Sequence, residues 1–452
     1  MSDVHASKLR MIGFSLPALS LNMLLTAVFV IIPPLYAEHR GLGAATVGLV
    51  FLLAKMVDMI AAPAWGLFMD SYRTRWGRRR PWLTLSAPIL VTAIFFLYNP
   101  PEAVTGLYLF AGLAILYIGW DAWTISHTSW ALELSRDYDR RSRITGLLQV
   151  MVMLGGILVA LVPAVMQRMG SPTFEQIAAA IGGLMMIALP VSLVICLMSV
   201  PERETPNRPH LGFKKGAAIL FSNPALLRLM VANSMLTFAT YLVQGLFVFF
   251  VSYTLGLEAK TGFVLTFLIV GGLIGLPLWV RLSETRNKHH AMQLAVTVGA
   301  VMPLLLLVLP AGNIALTAAA FLFVGLNTSA NEFLPRAMMA DVCDHDHVQS
   351  GSERMGLYYS MLQLSSKLAS GIGIFIGFSF LSFFGFNPEL GIDNTEEALT
   401  RLRYLIVALP VMAYAIVIAL MWRYPISRAR QRELRNLIEE KEKLALESAD
   451  PP

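Results

Sequence analysis

Long apolar runs alternate with short polar stretches along almost the whole chain. Each run approaches or exceeds the roughly 20 apolar residues with which a helix crosses the hydrocarbon core of a bilayer, and each is bounded by charged residues or by proline and glycine. The runs lie near residues 11–36, 44–69, 82–99, 104–132, 144–167, 175–199, 224–256, 260–283, 291–310, 313–338, 356–386 and 402–422. The pattern predicts an all-α polytopic membrane protein with twelve transmembrane helices.

A polar stretch rich in helix-breaking residues divides the runs into six and six. We expect an N-terminal six-helix bundle at 1–199, a linker at 200–222, a C-terminal six-helix bundle at 223–425 and a tail at 426–452. Acidic residues followed by arginine come after the fourth and the tenth run, which indicates a duplicated half, and such chains usually surround a central substrate path. The tail forms either an amphipathic helix on the membrane surface or an ordinary solvated segment.

Lysine and arginine are concentrated in alternate loops: those after the second, fourth and eighth runs, the linker and the tail. Loops rich in basic residues stay in the cytoplasm, so we expect both termini and the linker there, in a multi-pass protein of the cell inner membrane. The net charge of +6 is therefore a topology signal, and nucleic-acid binding is not expected.

The composition excludes a soluble enzyme, since 56% of residues are hydrophobic and 14% are charged. The sequence has no phosphate-binding GxxxxGK[ST] loop, no convincing nucleophile elbow and no metal-ligand cluster, so we predict no catalytic residues, no metal and no cofactor. His345 and His347, among acidic residues after the tenth run, are expected in a solvated loop that ends the helix. The two cysteines indicate no disulfide framework.

Two ionisable residues lie inside the second apolar run. A charged side chain at membrane depth costs at least about 2.5 kcal/mol on insertion scales, so it needs a partner or a water-filled cavity. Lys55 precedes Asp58 by three residues, which places both on one helical face. They form either a neutralised structural pair or a site where Asp58 binds and releases a cation.

The fourth run carries the second intramembrane carboxylate, Asp121, with Thr124 one turn further on. A neighbouring aromatic stripe contains Trp120, Trp123 and His127. Aromatic faces suit the apolar faces of sugar rings, and acidic groups suit sugar hydroxyls, so these residues are candidates for substrate binding. Helix packing for the tryptophans and a structural hydrogen bond for His127 are the alternatives.

Lys367 is the charged residue inside the eleventh run, among serines and glycines. An unpaired ammonium there would be costly, so we expect it to meet Asp58 or Asp121 across the two halves. Such an ion pair could break and re-form during transport. Weaker candidates for lining the same cavity, which could equally be polar links between helices, are Tyr241, Gln244, Asn331 and Gln363.

Three motifs in this order resemble one family. They are KMVD, four residues and PAWG, followed by DSYRTRWGRRRPW; ALELSRDYDRRSRI at 131–144; and LPRAMMADVCDHD with GSERMGLYYSMLQLSSK, ending at Lys367. They are similar to the glycoside–pentoside–hexuronide:cation symporters, the melibiose-permease-like branch of the major facilitator superfamily. The motif residues that we take as candidates for gating on the cytoplasmic side are Asp70, Arg75, Gly77, Arg78, Arg79, Arg80, Glu133, Asp137, Arg141, Asp341 and Arg354.

The resemblance implies the two-bundle major facilitator fold, alternating access, and uptake of a sugar or glycoside with a proton or sodium ion. By position, Asp58 matches the family's first helix-two cation-binding aspartate and Lys367 its helix-eleven lysine. The family's second helix-two carboxylate falls at Ala62, the melibiose permease's helix-one aspartate near Ser20, and its helix-four aspartate at Thr124. The loss of a carboxylate removes oxygen ligands, which weakens sodium relative to the proton.

The sequence thus predicts a monomeric cation-coupled glycoside symporter whose partners are a small sugar and membrane lipid. Its cation-coupling residues are expected to be Asp58, Lys55, Asp121 and Lys367, and Asp121 and Lys367 also count as substrate-binding candidates. A lipid or drug carrier on the same fold and a membrane sugar sensor that does not transport remain as alternatives.

Overall fold

A computed structural model describes residues 8–71, 74–134, 138–170, 172–200, 223–286, 288–350, 355–422, 424–425 and 433. Within these residues, twelve helices are long and apolar enough to span a membrane, as predicted. They are α1 Lys8–Val30, α2 Ala44–Ser71, α3 Arg80–Tyr98, α4 Gly106–Glu133, α5 Tyr138–Met169, α6 Phe174–Ser199, α7 Pro224–Phe249, α8 Thr261–Thr285, α9 Lys288–Val301, α10 Ile314–Ser350, α11 Met355–Phe383 and α12 Glu396–Met421.

Short helical segments extend several of these spans. A six-residue helix, Ile32–Ala37, follows α1, and a π-helical turn, Phe250–Thr254, continues α7. A 3-10 helix, Met302–Leu307, continues α9, and two others, Glu258–Lys260 and Pro388–Asp393, lie in loops. All of these segments lie on one side of the membrane, which also holds Glu38, and we call it the Glu38 side. The opposite side, with the loop Thr74–Arg79, is the Arg side.

Local chemistry explains where several helices begin. Thr105 and Thr395 accept a hydrogen bond from a backbone N–H in the first turn of α4 and α12, and Thr173 forms a capping box at the start of α6. The carboxamide of Asn223 accepts from Ala225 N and Leu226 N at the start of α7. These caps satisfy donors that the helix itself leaves unpaired, so the turns fall at the polar breaks in the hydrophobic pattern.

The two six-helix bundles use glycine at equivalent helix crossings. A Cβ atom on Gly155 of α5 would lie 2.2 Å from Leu19 O of α1, and one on Gly373 of α11 would lie 2.7 Å from Phe238 O of α7. The absence of a side chain allows these backbones to approach, as is common in membrane helix packing. Because α1 and α5 correspond to α7 and α11, this supports the predicted duplication.

On the Glu38 side the two bundles are in contact along α2 with α11, α5 with α8, and α1 with α7. A Cβ atom on Gly48 would lie 2.8 Å from Phe378 Cβ, and one on Gly262 would lie 2.9 Å from Ala160 O. These crossings are too close for any side chain at the two glycines. The structure is therefore closed on the Glu38 side.

One expectation about the Arg side is wrong. Residues 340–347 do not form a loop after the tenth span, because α10 continues as a helix to Ser350. The segment has no proline or glycine between Pro335 and Gly351 that would end the helix. Its acidic residues are also accommodated within the fold: Asp341 is buried and accepts a hydrogen bond from Lys288 Nζ at 2.6 Å.

Candidate coupling site

Four charged side chains from three helices meet in the middle part of the membrane-spanning segments. Lys367 Nζ of α11 lies 2.7 Å from Asp58 Oδ1 of α2 and 2.6 Å from Asp121 Oδ1 of α4. Lys55 Nζ lies 3.0 Å from the other oxygen of Asp58, Oδ2. We call Lys55, Asp58, Asp121 and Lys367 the tetrad. The prediction that Lys367 meets Asp58 or Asp121 across the halves is confirmed, and it meets both.

Burial makes these ion pairs important for the conformation. The side chains of Asp58 and Asp121 are 1% and 4% exposed, and that of Lys367 is 22% exposed. Two carboxylates and two ammonium groups sum to zero charge, which is the arrangement that a site of low dielectric constant tolerates. Removing any one of the four leaves an uncompensated buried charge, so the group behaves as a unit.

The close approach of α2 and α11 places Lys367 in this site. Gly371 lies one turn beyond Lys367, and a Cβ atom there would lie 2.9 Å from Lys55 Cβ and 3.1 Å from Lys55 Cγ. The side chain of Lys55 therefore occupies the space that any larger residue at Gly371 would need. The glycine-rich stretch after Lys367 allows this packing.

Aromatic rings surround the ammonium of Lys55. Its Nζ atom lies 4.0 Å from the ring centroid of Tyr117 and 5.4 Å from that of Phe29, so the ring faces stabilise the cation. Tyr241 of the other bundle packs edge-on against Phe29, with ring centroids 4.6 Å apart, which places this predicted residue one ring from the tetrad. Sequence reasoning missed Tyr117, although it precedes Asp121 by four residues and so shares its helical face.

One face of α4 carries buried oxygens without a hydrogen-bond partner among the described residues: Tyr117 Oη, Asp121 Oδ2 and Thr124 Oγ1. Their spacing of four and three residues aligns them along the helix. Buried polar atoms normally have partners, so this row is available to water, to a cation or to the hydroxyl groups of a substrate.

Two other predicted residues of α4, Trp123 and His127, are buried in the core. Trp123 is fully buried in the core, and the His127 Nε2 atom lies 2.8 Å from Phe14 O. Trp120 is half-buried and packs against the same core. In this conformation the packing alternative describes Trp123, and the structural hydrogen bond describes His127.

The weaker candidates of the second half do not join the tetrad. Asn331 Nδ2 donates to Tyr414 Oη at 2.9 Å inside the C-terminal bundle, which fits a polar link between helices. Gln363 is exposed and Gln244 is half-buried. Among the described residues, none of these three side chains hydrogen-bonds to the tetrad.

The arginine loop joins three helix ends on the Arg side. Thr74 and Gly77 exchange backbone hydrogen bonds of 3.3 and 3.2 Å, and Gly77 has φ of 118°, which requires glycine. The guanidinium of Arg80 donates to Leu197 O and Val200 O and lies 5.2 Å from the ring centroid of Trp130. Trp130 is fully buried, so its ring and the Arg80 guanidinium pack together inside the bundle.

The remaining motif residues are described incompletely. Asp137 and Arg354 lie outside the described residues, as do the side chains of Asp70, Glu133 and Arg141. Arg75 is exposed in the turn, Arg78 is half-buried and Arg79 is buried. Their role in gating stays a prediction.

The two-bundle fold and the charges shared between the bundles define a class, the transporters of the major facilitator superfamily. Among solved structures, a bacterial homologue of the human lysosomal transporter Spinster matches with a TM-score of 0.68 at 14% identity, covering 92% of this chain and 98% of its own. The nucleoside transporter NupG matches with a TM-score of 0.66 at 10% identity, covering 92% of this chain and all of its own.

The chain belongs to the MFS/sugar transport protein family, whose sequence model matches residues 13–428. It is a multi-pass membrane transporter and not an enzyme. The proposed glycoside/cation symporter YagG of Escherichia coli (strain K12) is 24% identical over 430 residues, covering 93% of this chain and 92% of the relative. Sodium-dependent lysophosphatidylcholine symporter 1 of Homo sapiens is 22% identical over 430 residues, covering 86% of this chain and 78% of the relative.

Proposed function

We propose that the protein carries a sugar or glycoside across the inner membrane together with a proton or sodium ion, by alternating access with the Arg side in the cytoplasm. The observation that carries this proposal is the position of Lys367 between Asp58 and Asp121, 2.7 and 2.6 Å from their oxygens. A single ammonium links carboxylates of one bundle to the other. Any step that opens the structure at this level must break or rearrange that link.

The coupling follows from competition for the carboxylates. With two positive and two negative charges, the tetrad has no net charge until another cation arrives. A proton or a sodium ion on Asp121 or Asp58 removes the negative charge that holds Lys367, so cation binding loosens the link between the bundles. Substrate binding then completes the change of conformation, because a ligand shifts the equilibrium only by binding one state more tightly.

The oxygen atoms near the tetrad favour a proton as the coupling ion. Both oxygens of Asp58 are already engaged by lysines, and Ala62 contributes no ligand. Asp121 Oδ2, Thr124 Oγ1 and Tyr117 Oη are the unpartnered oxygens, and a hard metal cation takes about six oxygen ligands. Protonation of Asp121 needs a single oxygen. Sodium is the second possibility, because several relatives carry sodium-dependent symporter names.

A sugar is the favoured substrate class. The family description names sugar transport, and the relative YagG bears a glycoside/cation symporter name. The row of Tyr117, Asp121 and Thr124 could hydrogen-bond hydroxyl groups, while Trp120 and Tyr241 supply rings near it. The sequence match to lysophosphatidylcholine symporters favours a lipid carrier as the second candidate.

The test is calorimetric binding of neutral glycosides, acidic glycosides and lysophosphatidylcholine to the purified protein, with and without sodium and at two pH values. We expect binding of a glycoside that depends on pH, and loss of that dependence in Asp121→Asn. Tighter binding in sodium at constant pH would assign sodium as the coupling ion. Binding of lysophosphatidylcholine alone would overturn the sugar assignment.

A transport assay in proteoliposomes separates a symporter from a sensor. The glycoside that binds is offered at equal concentrations on both sides, with an inward proton gradient. We expect accumulation by the wild-type protein and none by Asp58→Ala, while Thr297→Ala, an exposed position of α9, serves as the control that keeps transport. Binding without any movement of the glycoside would identify a sensor.

A further inference from the structure

A second ionisable site lies on the Glu38 side, away from the tetrad. Glu38 follows the short helix Ile32–Ala37, and its Oε1 atom accepts a hydrogen bond from Tyr253 Oη in the π-helical turn after α7. Glu38 belongs to the N-terminal bundle and Tyr253 to the C-terminal bundle. The contact therefore exists only while the bundles are closed on this side.

The Glu38 carboxyl group is mostly buried and only partly hydrogen-bonded. Its side chain is 13% exposed, and its Oε2 atom is buried without a hydrogen-bond partner among the described residues. Glu38 lines a cavity of about 50 Å³ together with Tyr253, Glu258, Ser252 and Gln167. The cavity is large enough for a few water molecules that could carry a proton to the carboxyl group.

The charged groups around Glu38 are mostly acidic. Glu258 of the 3-10 helix Glu258–Lys260 borders the same cavity, and Glu389 approaches the neighbouring residue Gly41. Arg40 is engaged by Glu175 at the start of α6 and by Pro100 O. His39 Nε2 lies 3.6 Å from Glu38 Oε1, and its ring stacks on Phe174.

These surroundings favour the protonated form of Glu38. Burial raises the pKa of its carboxyl group from 4.5 to about 7, and the negative charge of Glu258 adds to the rise, whereas the hydrogen bond from Tyr253 opposes it. When the bundles part on this side, Tyr253 leaves and water reaches the carboxyl group. Its pKa then returns towards the ordinary value.

We propose that Glu38 is a proton-binding site distinct from the tetrad, which takes up a proton when the Glu38 side closes and releases it to the same side when that side opens. Protonation removes the repulsion between Glu38 and Glu258 and so stabilises the closed state. Acid on the Glu38 side favours closure, and neutral or alkaline solution favours opening.

The direction of the effect identifies the group that titrates. The closed state binds more protons at Glu38 than the open state between about pH 4.5 and 7, so opening becomes more favourable as pH rises through this range. His39 would act in the opposite direction: burial lowers the pKa of its imidazole in the closed state, so acid would favour opening. A rise of the open population with pH therefore points to Glu38.

The experiment measures opening directly and needs no substrate. Spin labels are attached at Glu102→Cys and Ala311→Cys, exposed loop positions on the Glu38 side of the two bundles, with Cys196 and Cys343 replaced by alanine. Electron–electron resonance distances are recorded in nanodiscs from pH 5 to 8. We expect the ratio of open to closed molecules to rise by up to about tenfold per pH unit until about pH 7 and then level off.

Three variants test the assignment. Glu38→Gln should remove the rise of the open population with pH that Glu38 contributes in this range. Glu258→Gln should move the midpoint to lower pH, because it removes the repelling charge, and Tyr253→Phe should move it to higher pH, because it removes the hydrogen bond that favours the carboxylate.

The difference between the wild type and Glu38→Gln isolates the Glu38 site, because any pH dependence that arises at Asp58 and Asp121 is present in both proteins. A pH dependence that is the same in the wild type and in Glu38→Gln overturns the proposal. So does a slope that is lost in His39→Gln while Glu38 is intact. None of these results would affect the proposed symport, whose tests follow substrate binding and transport.

Discussion

The Nζ atom of Lys367 lies 2.7 Å from Oδ1 of Asp58, although 309 positions separate the two residues in the chain. The same nitrogen is 2.6 Å from Asp121, so one ammonium group connects α11 of the C-terminal bundle with α2 and α4 of the N-terminal bundle. Every rearrangement of the bundles at this level changes these distances. The free energy needed to separate these charges therefore contributes to the equilibrium between the closed and open states.

Removing Lys367 alone should destabilise the closed structure. Lys367→Ala leaves two buried carboxylates with one ammonium, and breaking a buried ion pair typically costs about 3–5 kcal/mol. The double variant Lys367→Ala with Asp121→Ala removes one charge of each sign and should lose less stability than the sum of the two single variants. Thermal unfolding in detergent measures both. Additive losses would show that the two side chains do not act together.

Asp121→Asn should separate substrate movement from the proton gradient. The amide cannot take up a proton, so we expect exchange of substrate at equal concentrations to continue while accumulation falls at least tenfold. The measurement compares counterflow with gradient-driven uptake in proteoliposomes. Asn331→Asp places a new carboxyl group in the C-terminal bundle away from the tetrad. It is compared with Asp121→Asn to show whether the position of the carboxyl group matters for coupling. Full accumulation by Asp121→Asn would leave Asp58 as the coupling group.

Gly371→Ala should impair transport by steric conflict. The new Cβ would lie 2.9 Å from Lys55 Cβ, so α2 and α11 must move apart and the contact of Lys367 with Asp58 lengthens. Gly66→Ala is the matched control, because a Cβ there meets nothing within 4 Å. The control should be neutral or gain up to about 1 kcal/mol from helix propensity. Equal transport rates for the two variants would contradict the close packing at Gly371.

The aromatic ring of Tyr117 should contribute to the stability of the protein. Tyr117→Phe keeps the aromatic face over Lys55, whereas Tyr117→Leu removes an interaction of about 0.5–2 kcal/mol. Thermal stability should therefore fall more in the leucine variant. If Tyr117 Oη also binds substrate, Tyr117→Phe will bind the glycoside more weakly while keeping its thermal stability. Calorimetry measures the change in binding.

The stability of the closed structure should depend on pH through Glu38. A carboxyl group whose pKa is raised from 4.5 to about 7 stabilises the closed fold fully below pH 4.5, and this contribution is lost as pH rises through 7. The unfolding temperature of the wild type relative to Glu38→Gln should thus decrease between pH 5 and 7. A difference in unfolding temperature that increases with pH would indicate that folding lowers the pKa of Glu38.

The hydrophobic pattern was sufficient to predict the twelve spans and the two bundles. Spanning helices satisfy their own backbone hydrogen bonds, so length and apolarity decide them without reference to any other segment. The same reasoning indicated that Lys367 needs a carboxylate, because an unpaired ammonium at membrane depth is costly. The expectation that the acidic residues after the tenth run end the helix was wrong. Helix α10 continues past Asp341, because no proline or glycine interrupts it and the carboxylate of Asp341 pairs with Lys288.

The sequence by itself determined which charged side chains need a partner. Only the tertiary structure decided which residues those partners are and which cavity they line. The rotation of α4 about its axis turns Tyr117 and Asp121 to the tetrad and Trp123 and His127 to the core, and the sequence does not show which helices these two faces meet. Glu38 looks like an ordinary loop residue in the sequence. Its contact with Tyr253 arises only when two bundles close, because packing between distant segments, and not local periodicity, sets their distance.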